Sequence, residues 1–443
     1  MNFEDRREFA AAQDADDPLR GFRARFNFPL ANEGRDPVYL CGNSLGLQPK
    51  LAVQYVEEEL AQWRDFAVGG HFHPQRPWLS YPRRATAAFA ELAGAKPSEV
   101  VAMNTLTVNL HLMMASFYRP SGDRHRILIE SQAFPSDRYA AASQIRMHGY
   151  DPASGLVEWA PHDDRSTLHT ADLAELLARE GESIALLLLP GVQYLSGQVL
   201  DMREISRLGR EAGCAVGFDL AHAIGNVELD LHEWGPDFAA WCCYKYLNGG
   251  PGSIGGVFVH ERHFDDATEP LLGWWGNDEA SRFEMAPTFV PAPGAERWQM
   301  STPPILSLAP VVASLELFRE AGMDAIAAKS RRLTGYLAWL IEKRFAGTIG
   351  TITPATARGC QLSLVVRDDT LDGRALFERL CELDVTGDWR EPNVIRVAPA
   401  PLYNSFTDVF EFAERLGQAL DATRRPRSRG TRATADRRSG PGS

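Results

Sequence analysis

The sequence predicts an α/β protein whose larger domain is built on a mainly parallel β-sheet. Short apolar runs recur between residues 85 and 260, and helical patterns separate several of them, as in chains that alternate strand and helix. The strand candidates are residues 100–103, 127–130, 184–189, 215–218 and 256–259, and helical patterns cover residues 108–117 and 171–179. Such sheets bind ligands at the carboxyl ends of their strands. Asp219 directly follows one of these runs.

The other elements are predicted from spacing and from turn-forming residues. Before the sheet, we predict a polar, partly helical segment at residues 1–35, a strand and glycine turn at 39–46, a helix carrying Val56, Leu60 and Trp63, and a loop at 66–82. After the sheet, we predict an ordered loop at 270–305 and one long helix from about 311 to 345. Two strands follow, at Leu362–Leu364–Val366 and 394–398, and a closing helix runs through Val409, Ala413, Leu416 and Leu420.

These elements divide the chain into four parts. Residues 1–58 form an N-terminal segment expected to pack with the small domain, residues 59–310 the large domain, and residues 311–423 a small α+β C-terminal domain. Residues 424–443 form a tail with seven arginines among Pro, Gly, Ser and Thr. Because this tail lacks apolar residues with which to pack, we expect it to be disordered.

Composition excludes several classes of protein. The chain has 443 residues, of which 44% are hydrophobic and 23% charged, as is usual for a globular protein. A net charge of −12 gives no general affinity for nucleic acid. No stretch is apolar enough to span a bilayer, and the N-terminus lacks the apolar core of a signal peptide. The six cysteines show no metal-binding spacing, so we expect no metal, reduced thiols and a cytoplasmic protein.

The most informative residue is Lys245, which lies in Cys-Cys-Tyr-Lys-Tyr-Leu-Asn directly before a glycine-rich run. Asp219 ends an apolar strand upstream, and His222 follows it three positions later. A lysine that forms an imine and an aspartate that pairs with a protonated ring nitrogen are what pyridoxal 5′-phosphate (PLP) requires. Alone, Asp219 would be a helix cap and Lys245 a surface lysine, but their joint context favours a PLP site.

Other candidates have two interpretations each. Thr107 could bind the phosphate at the start of a helix beginning near Val108, or be a plain helix cap. Tyr244 could donate to the phosphate or an intermediate, or be a core tyrosine. Phe134, in the turn Phe134-Pro135-Ser136-Asp137, could stack on the pyridine ring. His222 fits the cofactor ring region or the core equally well.

Arg396 interrupts an apolar strand near the end of the chain. A buried arginine requires an anion. A bidentate grip on an amino-acid carboxylate would serve, and so would an internal ion pair.

These residues lie in segments that resemble the kynureninases, PLP enzymes of aminotransferase fold type I (class V). The resemblance covers residues 39–420. It is carried by LCGNSLGLQPK (40–50), LTVNLH (106–111), FPSD (134–137), GFDLAHA (217–223), YKYLN (244–248), PPI (303–305), RVAP (396–399) and PLYNSF (401–406). Their number and order make the signal specific. The resemblance implies a seven-stranded, mainly parallel sheet in the large domain, plus the smaller C-terminal domain.

The resemblance also implies a role for each candidate. Lys245 would be the Schiff-base lysine and, with Tyr244, the catalytic pair. The cofactor-binding residues would be Leu106, Thr107, Phe134, Pro135, Ser136, Asp137, Asp219, His222, Tyr244 and Lys245, with Trp274 and Thr302 reaching the phosphate from the second subunit of a homodimer. Arg396 would hold the substrate α-carboxylate, and Ser44 and His71 would line the substrate pocket.

The implied reaction is hydrolytic cleavage of L-kynurenine to anthranilate and L-alanine, in tryptophan catabolism. Two departures from the family pattern bear on it. Pro190 stands where some family members carry a serine, so one cofactor contact is lost or made by backbone. Thr302 replaces the asparagine of the animal enzymes beside the aniline ring, and we favour kynurenine over 3-hydroxykynurenine.

The rival interpretations are another enzyme of this fold or a regulator that retains PLP. A cysteine desulfurase needs a reactive cysteine, for which Cys360 has a suitable separation from Lys245, although it opens an apolar strand. An aminotransferase is the other enzyme candidate. A regulator would act through the arginine tail, but no DNA-recognition segment is visible.

Overall fold

The computed structural model describes residues 2–32, 34–161, 167–265 and 271–424. Its centre is a seven-stranded sheet within those residues. The strands are, in chain order, β1 (Val100–Ala102), β2 (Arg126–Glu130), β3 (Leu156–Trp159), β4 (Ile184–Pro190), β5 (Ala215–Asp219), β6 (Phe238–Cys242) and β7 (Gly255–Val259). Their spatial order is β1-β7-β6-β5-β4-β2-β3. Since only β7 pairs antiparallel with its two neighbours, the predicted mainly parallel sheet is confirmed.

Helices cover the sheet and build the rest of the chain. The longer ones are α1 (Arg7–Ala15), α2 (Lys50–Phe66), α3 (Arg83–Ala93), α4 (Leu106–Phe117), α5 (Pro135–Met147), α6 (Thr170–Glu180), α7 (Met202–Glu211), α8 (Ile305–Ala321), α9 (Met323–Phe345), α10 (Gly373–Glu382) and α11 (Phe406–Arg424). Strand β4 is buried along its whole length, as a central strand with helices on both faces must be.

The smaller unit is a four-stranded antiparallel sheet. It contains β8 (Ile349–Thr351), β9 (Leu362–Val366), β10 (Asp388–Arg390) and β11 (Val394–Val397) in the spatial order β8-β9-β11-β10. Helices α9, α10 and α11 pack on it, with Leu337, Leu376 and Leu416 in one apolar cluster. This is the α+β arrangement that the C-terminal pattern predicts.

The N-terminal segment contacts both units. Val38–Tyr39 pairs in parallel with Val385–Thr386, and Ala10 and Leu40 lie in the apolar cluster of the smaller unit. Phe22, by contrast, belongs to the apolar cluster of the large sheet. The domain boundaries that we draw from the sequence stay a prediction.

The structure corrects the sequence-based elements in two places. The single helix predicted from 311 to 345 is wrong, because Gly322, with φ of 74°, separates α8 from α9. Strands β3 and β6 have no counterpart among the predicted ones. The tail lies outside the described residues apart from Arg424, the last residue of α11. No helix in the described ranges is both long and apolar enough to cross a membrane.

Candidate active site

A cavity of about 160 Å³ opens at the carboxyl ends of the central strands. It brings together most of the predicted site. Its walls include Leu106, Thr107, Phe134, Ser136, Asp137, Asp219, His222, Tyr244 and Lys245 from the prediction, and Thr105, Glu130, Pro190, Val192, Tyr194 and Ala221 in addition. Strand ends and helix starts supply these residues, which is why segments far apart in sequence meet here.

Lys245 follows β6 in a tight turn. The turn is closed by hydrogen bonds from Asn248 N to Lys245 O (2.9 Å) and from Gly249 N to Cys243 O (2.8 Å). Gly46 N donates to Tyr244 O at 2.8 Å, so the N-terminal glycine turn braces the lysine segment. A Cβ on Gly46 would lie 2.3 Å from Lys245 O, and only glycine permits this approach.

The amine of Lys245 contacts a neutral histidine. Its Nζ lies 3.0 Å from His222 Nε2. Burial, then the nearby charge of Lys245, lowers the pKa of His222 well below its ordinary value. An ammonium can only donate, so Nε2 accepts and Nδ1 carries the imidazole hydrogen. That Nδ1 is buried and has no partner among the described residues.

Asp219 and Asp137 form a hydrogen-bonded pair of buried carboxyls. Burial raises the pKa of both, but Lys245 and the amide of Ala221, which donates to Asp219 Oδ1 at 2.7 Å, favour ionised Asp219. The pKa of Asp137 lies well above its usual range because of burial and the adjacent Asp219. Asp137 therefore holds the shared proton, and its Oδ1 has no partner within the described ranges.

Glu130 is a third buried carboxyl beside this pair, at the end of β2. Burial, then the charge of Asp219, raises its pKa to about 8. Glu130 is not among the site residues predicted from the sequence. Its position at a strand's carboxyl end, the rule that favoured Asp219, was the available signal.

Two helices begin at the cavity. Thr107 in the first turn of α4 and Ser136 in the first turn of α5 share a hydrogen bond of 2.7 Å between their hydroxyl oxygens. The helix predicted to begin near Val108 begins two residues earlier, at Leu106, with Thr105 as its N-cap residue. Thr107 is therefore no cap. Two converging helix N-termini with hydroxyls suit a phosphate.

Two ring side chains flank the lysine. The Phe134 ring centroid lies 6.0 Å from Lys245 Nζ, and Pro135 opens α5 directly after it. The Tyr244 ring centroid lies 5.8 Å from the same atom. Burial, then the adjacent Cys242, raises the pKa of Tyr244, so its phenol keeps its proton at neutral pH.

Arg396 lies behind Tyr194, which lines the cavity. Its Nη1 donates to Tyr194 O at 2.7 Å, and its Nη2 forms an ion pair with Asp388. The side chain is 1% exposed, and its Nε has no partner among the described residues. Arg396 therefore forms the internal ion pair that was one interpretation from the sequence. Its unpartnered Nε–H is a donor that could also bind a substrate carboxylate, which was the other interpretation.

Besides Pro135 and Arg396, four predicted residues within the described ranges do not line this cavity. Ser44 lies in the turn that leads to Gly46. The His71 ring packs edge-on against Trp78 at 5.3 Å, and its Nδ1 is buried without a partner among the described residues. Trp274 is 46% exposed and Thr302 is exposed.

A separate group of metal-type ligands lies away from the cavity. Glu99, His232 and His260 place ligand atoms within 4.8 Å of one another. However, Glu99 accepts from the amides of Lys96 and Glu261, both at 2.9 Å, and from His232 Nδ1 at 3.0 Å. These hydrogen bonds account for the buried carboxylate as a structural cap.

The donor set of the cavity fits PLP. A lysine amine, an ionised aspartate, unpartnered polar atoms on His222 and Asp137, and two helix N-termini match its aldehyde, ring nitrogen and phosphate. Pro190, opposite Asp219 in the β4–β5 register, has no N–H or hydroxyl to add.

Comparison with known proteins shows which families this chain resembles. The aminotransferase class-V family matches residues 38–368, and the kynureninase C-terminal domain family matches residues 326–416. The kynureninase of Myxococcus xanthus (strain DK1622) is 52% identical over 94% of this chain and 97% of its own. That of Xanthomonas campestris pv. campestris (strain B100) is 54% identical over 93% and 97%. A solved C-DES variant with glycine covalently linked to PLP has a TM-score of 0.72 at 19% identity, covering 86% of this chain and 96% of its own.

The fold and the lysine-centred cavity define an enzyme of the aminotransferase class-V family. Within that family the chain belongs to the kynureninases, because its identity to them exceeds 50% over nearly its whole length.

Proposed function

We propose that the protein hydrolyses the Cβ–Cγ bond of L-kynurenine to give anthranilate and L-alanine, with PLP as cofactor. The observation that supports this most is the identity to kynureninases over the whole catalytic region, combined with a cavity that holds Lys245 and Asp219 together. We further propose a cytoplasmic location.

The residues present would hold PLP as follows. Lys245 would bind its aldehyde, ionised Asp219 would face its ring nitrogen, and Thr107 and Ser136 would contact its phosphate together with the two helix N-termini. When bound, PLP supplies an aldehyde for the substrate amine and an electron-accepting ring. Protonated Asp137 supports this use by leaving the negative charge on Asp219.

The chain supplies the acid–base groups. Lys245 would take the proton from the substrate Cα and would return a proton to the substrate later in the reaction. Neutral His222 keeps the lysine amine in place by accepting its hydrogen bond. Tyr244 retains its proton and serves as the acid near the leaving carbon.

Arg396 is our candidate for the substrate α-carboxylate. A buried guanidinium with an unused Nε–H carries a desolvation cost that an anionic ligand removes. The ion pair with Asp388 leaves that Nε free. Ser44 and His71 stay proposed as substrate-pocket residues.

We propose a homodimer with a shared active site, built on an apolar surface that we call the α2 surface (Trp63, Phe66, Val68, Phe72, Trp274, Phe283 and Leu306). Trp63 is 59% exposed and Phe72 64%. Phe72 contacts Phe283 with ring centroids 6.2 Å apart, and Phe283 contacts Trp274 at 5.6 Å. A group of neighbouring exposed apolar side chains is typical of an interaction surface.

The same surface would account for three of the predicted residues that do not line the cavity. Trp274 belongs to it, and His71 packs against Trp78, which lines a groove of about 440 Å³ with Trp63 and Leu306. Thr302 precedes this groove by two residues. A second copy seated on the α2 surface would bring these side chains to the partner's cavity.

Mixing two inactive variants tests the shared site. Lys245→Ala and Trp274→Ala subunits, unfolded and refolded together, should regain about a quarter of the wild-type rate, because half of the dimers are mixed and each of these has one intact site. Each variant refolded alone is the control. A mixture as inactive as its components would refute a site shared through Trp274.

A cysteine desulfurase is the second candidate to exclude. Cys360 is fully buried, and burial raises the pKa of its thiol to about 12, so it has neither the exposure nor the ionisation of a nucleophile. Its Sγ contacts Ser330 Oγ at 3.4 Å.

Separate assays with four kinds of substrate test the proposed activity and its specificity. Purified holoenzyme is given L-kynurenine, 3-hydroxykynurenine, L-cysteine or an amino donor with an oxo acid. We expect the highest kcat/KM with L-kynurenine. Sulfide release from cysteine, or amino transfer without anthranilate, would replace this proposal by one of its rivals.

A further inference from the structure

Asp388 lies directly across from Arg396 in the small sheet. The two are register partners in the antiparallel pair of β10 and β11, and Ser363 is the partner of Arg396 on the other side. Asp388 Oδ2 pairs with Arg396 Nη2, and the Tyr194 carbonyl accepts from Nη1 at 2.7 Å. Each end nitrogen of the guanidinium is thus fixed by one acceptor.

The charges around Arg396 do not balance. Asp388 Oδ2 also accepts from Arg390 Nη2 at 3.0 Å, so one carboxylate oxygen bridges two guanidinium groups. Among these three residues one positive charge is left over. Arg390 is 35% exposed and is therefore partly screened by solvent, whereas Arg396 is 1% exposed.

Both arginines have a buried Nε without a partner among the described residues, but only Arg396 is buried over its whole side chain. An arginine has five N–H hydrogens, and those shown to be engaged are on Nη1 and Nη2. The Nε–H is buried and has no partner in the described part of the chain. A monovalent carboxylate would satisfy it and neutralise the left-over charge.

We propose that Asp388 is a positioning residue for substrate binding: it fixes the guanidinium of Arg396 so that the free N–H groups hold the α-carboxylate of the amino-acid substrate. This rests on the proposed function. Asp388 touches neither substrate nor cofactor in this account. It acts through Arg396, and it limits the local charge to what one carboxylate neutralises.

Replacement of Asp388 by asparagine separates two opposing effects. Loss of the negative charge would strengthen the general attraction of an anion, whereas loss of the charge-assisted hydrogen bond would loosen the guanidinium. If positioning dominates, Asp388→Asn raises KM for L-kynurenine about tenfold and changes kcat less than about threefold. Asp388→Glu, which keeps the charge but moves it, gives a smaller rise in KM.

Arg390→Gln is the matched control. It removes the other cation from the same carboxylate oxygen and leaves the Asp388–Arg396 pair intact. Because Arg390 is partly exposed, KM should stay within about threefold of wild type.

Ligand binding supplies a readout that does not depend on turnover. L-alanine and L-alaninamide, which lacks the carboxylate, are titrated into each holoenzyme, and the visible absorbance of the bound cofactor is followed. Asp388→Asn should weaken the binding of L-alanine about tenfold and leave the binding of L-alaninamide unchanged. Equal weakening of both ligands would indicate general damage and overturn the proposal.

The outcomes separate this proposal from the proposed function. A wild type that releases anthranilate, with KM unchanged or lowered in Asp388→Asn, refutes the positioning role alone. A wild type that releases none refutes the activity, and the alanine titrations still decide on Asp388. If Asp388→Asn does not fold, as judged by its melting temperature, Asp388→Glu decides, and a wild-type KM in that variant contradicts the proposal.

Discussion

Replacement of Glu130 by glutamine should flatten the dependence of stability on pH. The pKa of this buried carboxyl is raised from 4.5 to about 8, chiefly by burial and then by Asp219. Between these values the folded protein binds a proton that the unfolded chain has released. The free energy of unfolding therefore falls as pH rises through this window. The contribution is fully present below about pH 4.5 and is lost above about pH 8.

The size of the effect follows from the two pKa values. Each pH unit inside the window costs about 1.4 kcal/mol. Between pH 5.5 and 8.5 the Glu130 carboxyl should lower the free energy of unfolding by about 3 kcal/mol. Asp219, Asp137 and Arg138, and Glu158 on the adjacent strand, face the same carboxyl and are unchanged by the substitution.

Urea unfolding of cofactor-free protein at pH 5.5 and 8.5, at one protein concentration, measures this difference. Between these two pH values the free energy of unfolding should fall by about 3 kcal/mol more in wild type than in Glu130→Gln. Glu158→Gln is the matched control, because that side chain is 44% exposed and pairs with Arg138 at 2.6 Å. If the free energy of unfolding changes equally with pH in wild type and in Glu130→Gln, the Glu130 carboxyl does not have a raised pKa in the folded protein.

Three further predictions concern single sites. Gly46→Ala should lower kcat at least tenfold, because its Cβ would meet Lys245 O at 2.3 Å and displace the lysine segment; wild-type kinetics would contradict this. Lys329→Met should destabilise the protein by about 3–5 kcal/mol in urea unfolding, since it strands buried Asp17 from a 2.6 Å ion pair, and a loss below about 1 kcal/mol would count against it. Cys360→Ala should leave anthranilate formation within twofold of wild type, and its abolition would revive a cysteine-based mechanism.

Much of the large domain could be predicted because its strands are buried on both faces. Continuous apolar runs such as β4 are visible without knowledge of the fold. Strand β6 (Phe-Ala-Ala-Trp-Cys) was not predicted because its two alanines weaken its strand propensity. The break between α8 and α9 at Gly322 was not predicted because apolar periodicity continues on both sides of it. A single glycine with positive φ ends a helix without interrupting that pattern.

The site was predictable where residue type and strand position coincide. Lys245 and Asp219 met both conditions, and the structure places them in one cavity. The pairing of Arg396 with Asp388 depends on the register of two strands, which spacing along the chain does not reveal. Glu130 was missed because its burial, and hence its raised pKa, is a tertiary property. The roles of Ser44, His71, Trp274 and Thr302 stay predictions.

Product analysis with L-kynurenine shows whether the protein is a hydrolase that works through Lys245. Holoenzyme and the Lys245→Ala variant are incubated with L-kynurenine, and anthranilate and L-alanine are quantified in the same samples. We expect equal amounts of both products from wild type and neither from Lys245→Ala. Wild type that binds PLP at Lys245 but releases neither product, or a Lys245→Ala variant that releases both, would contradict it.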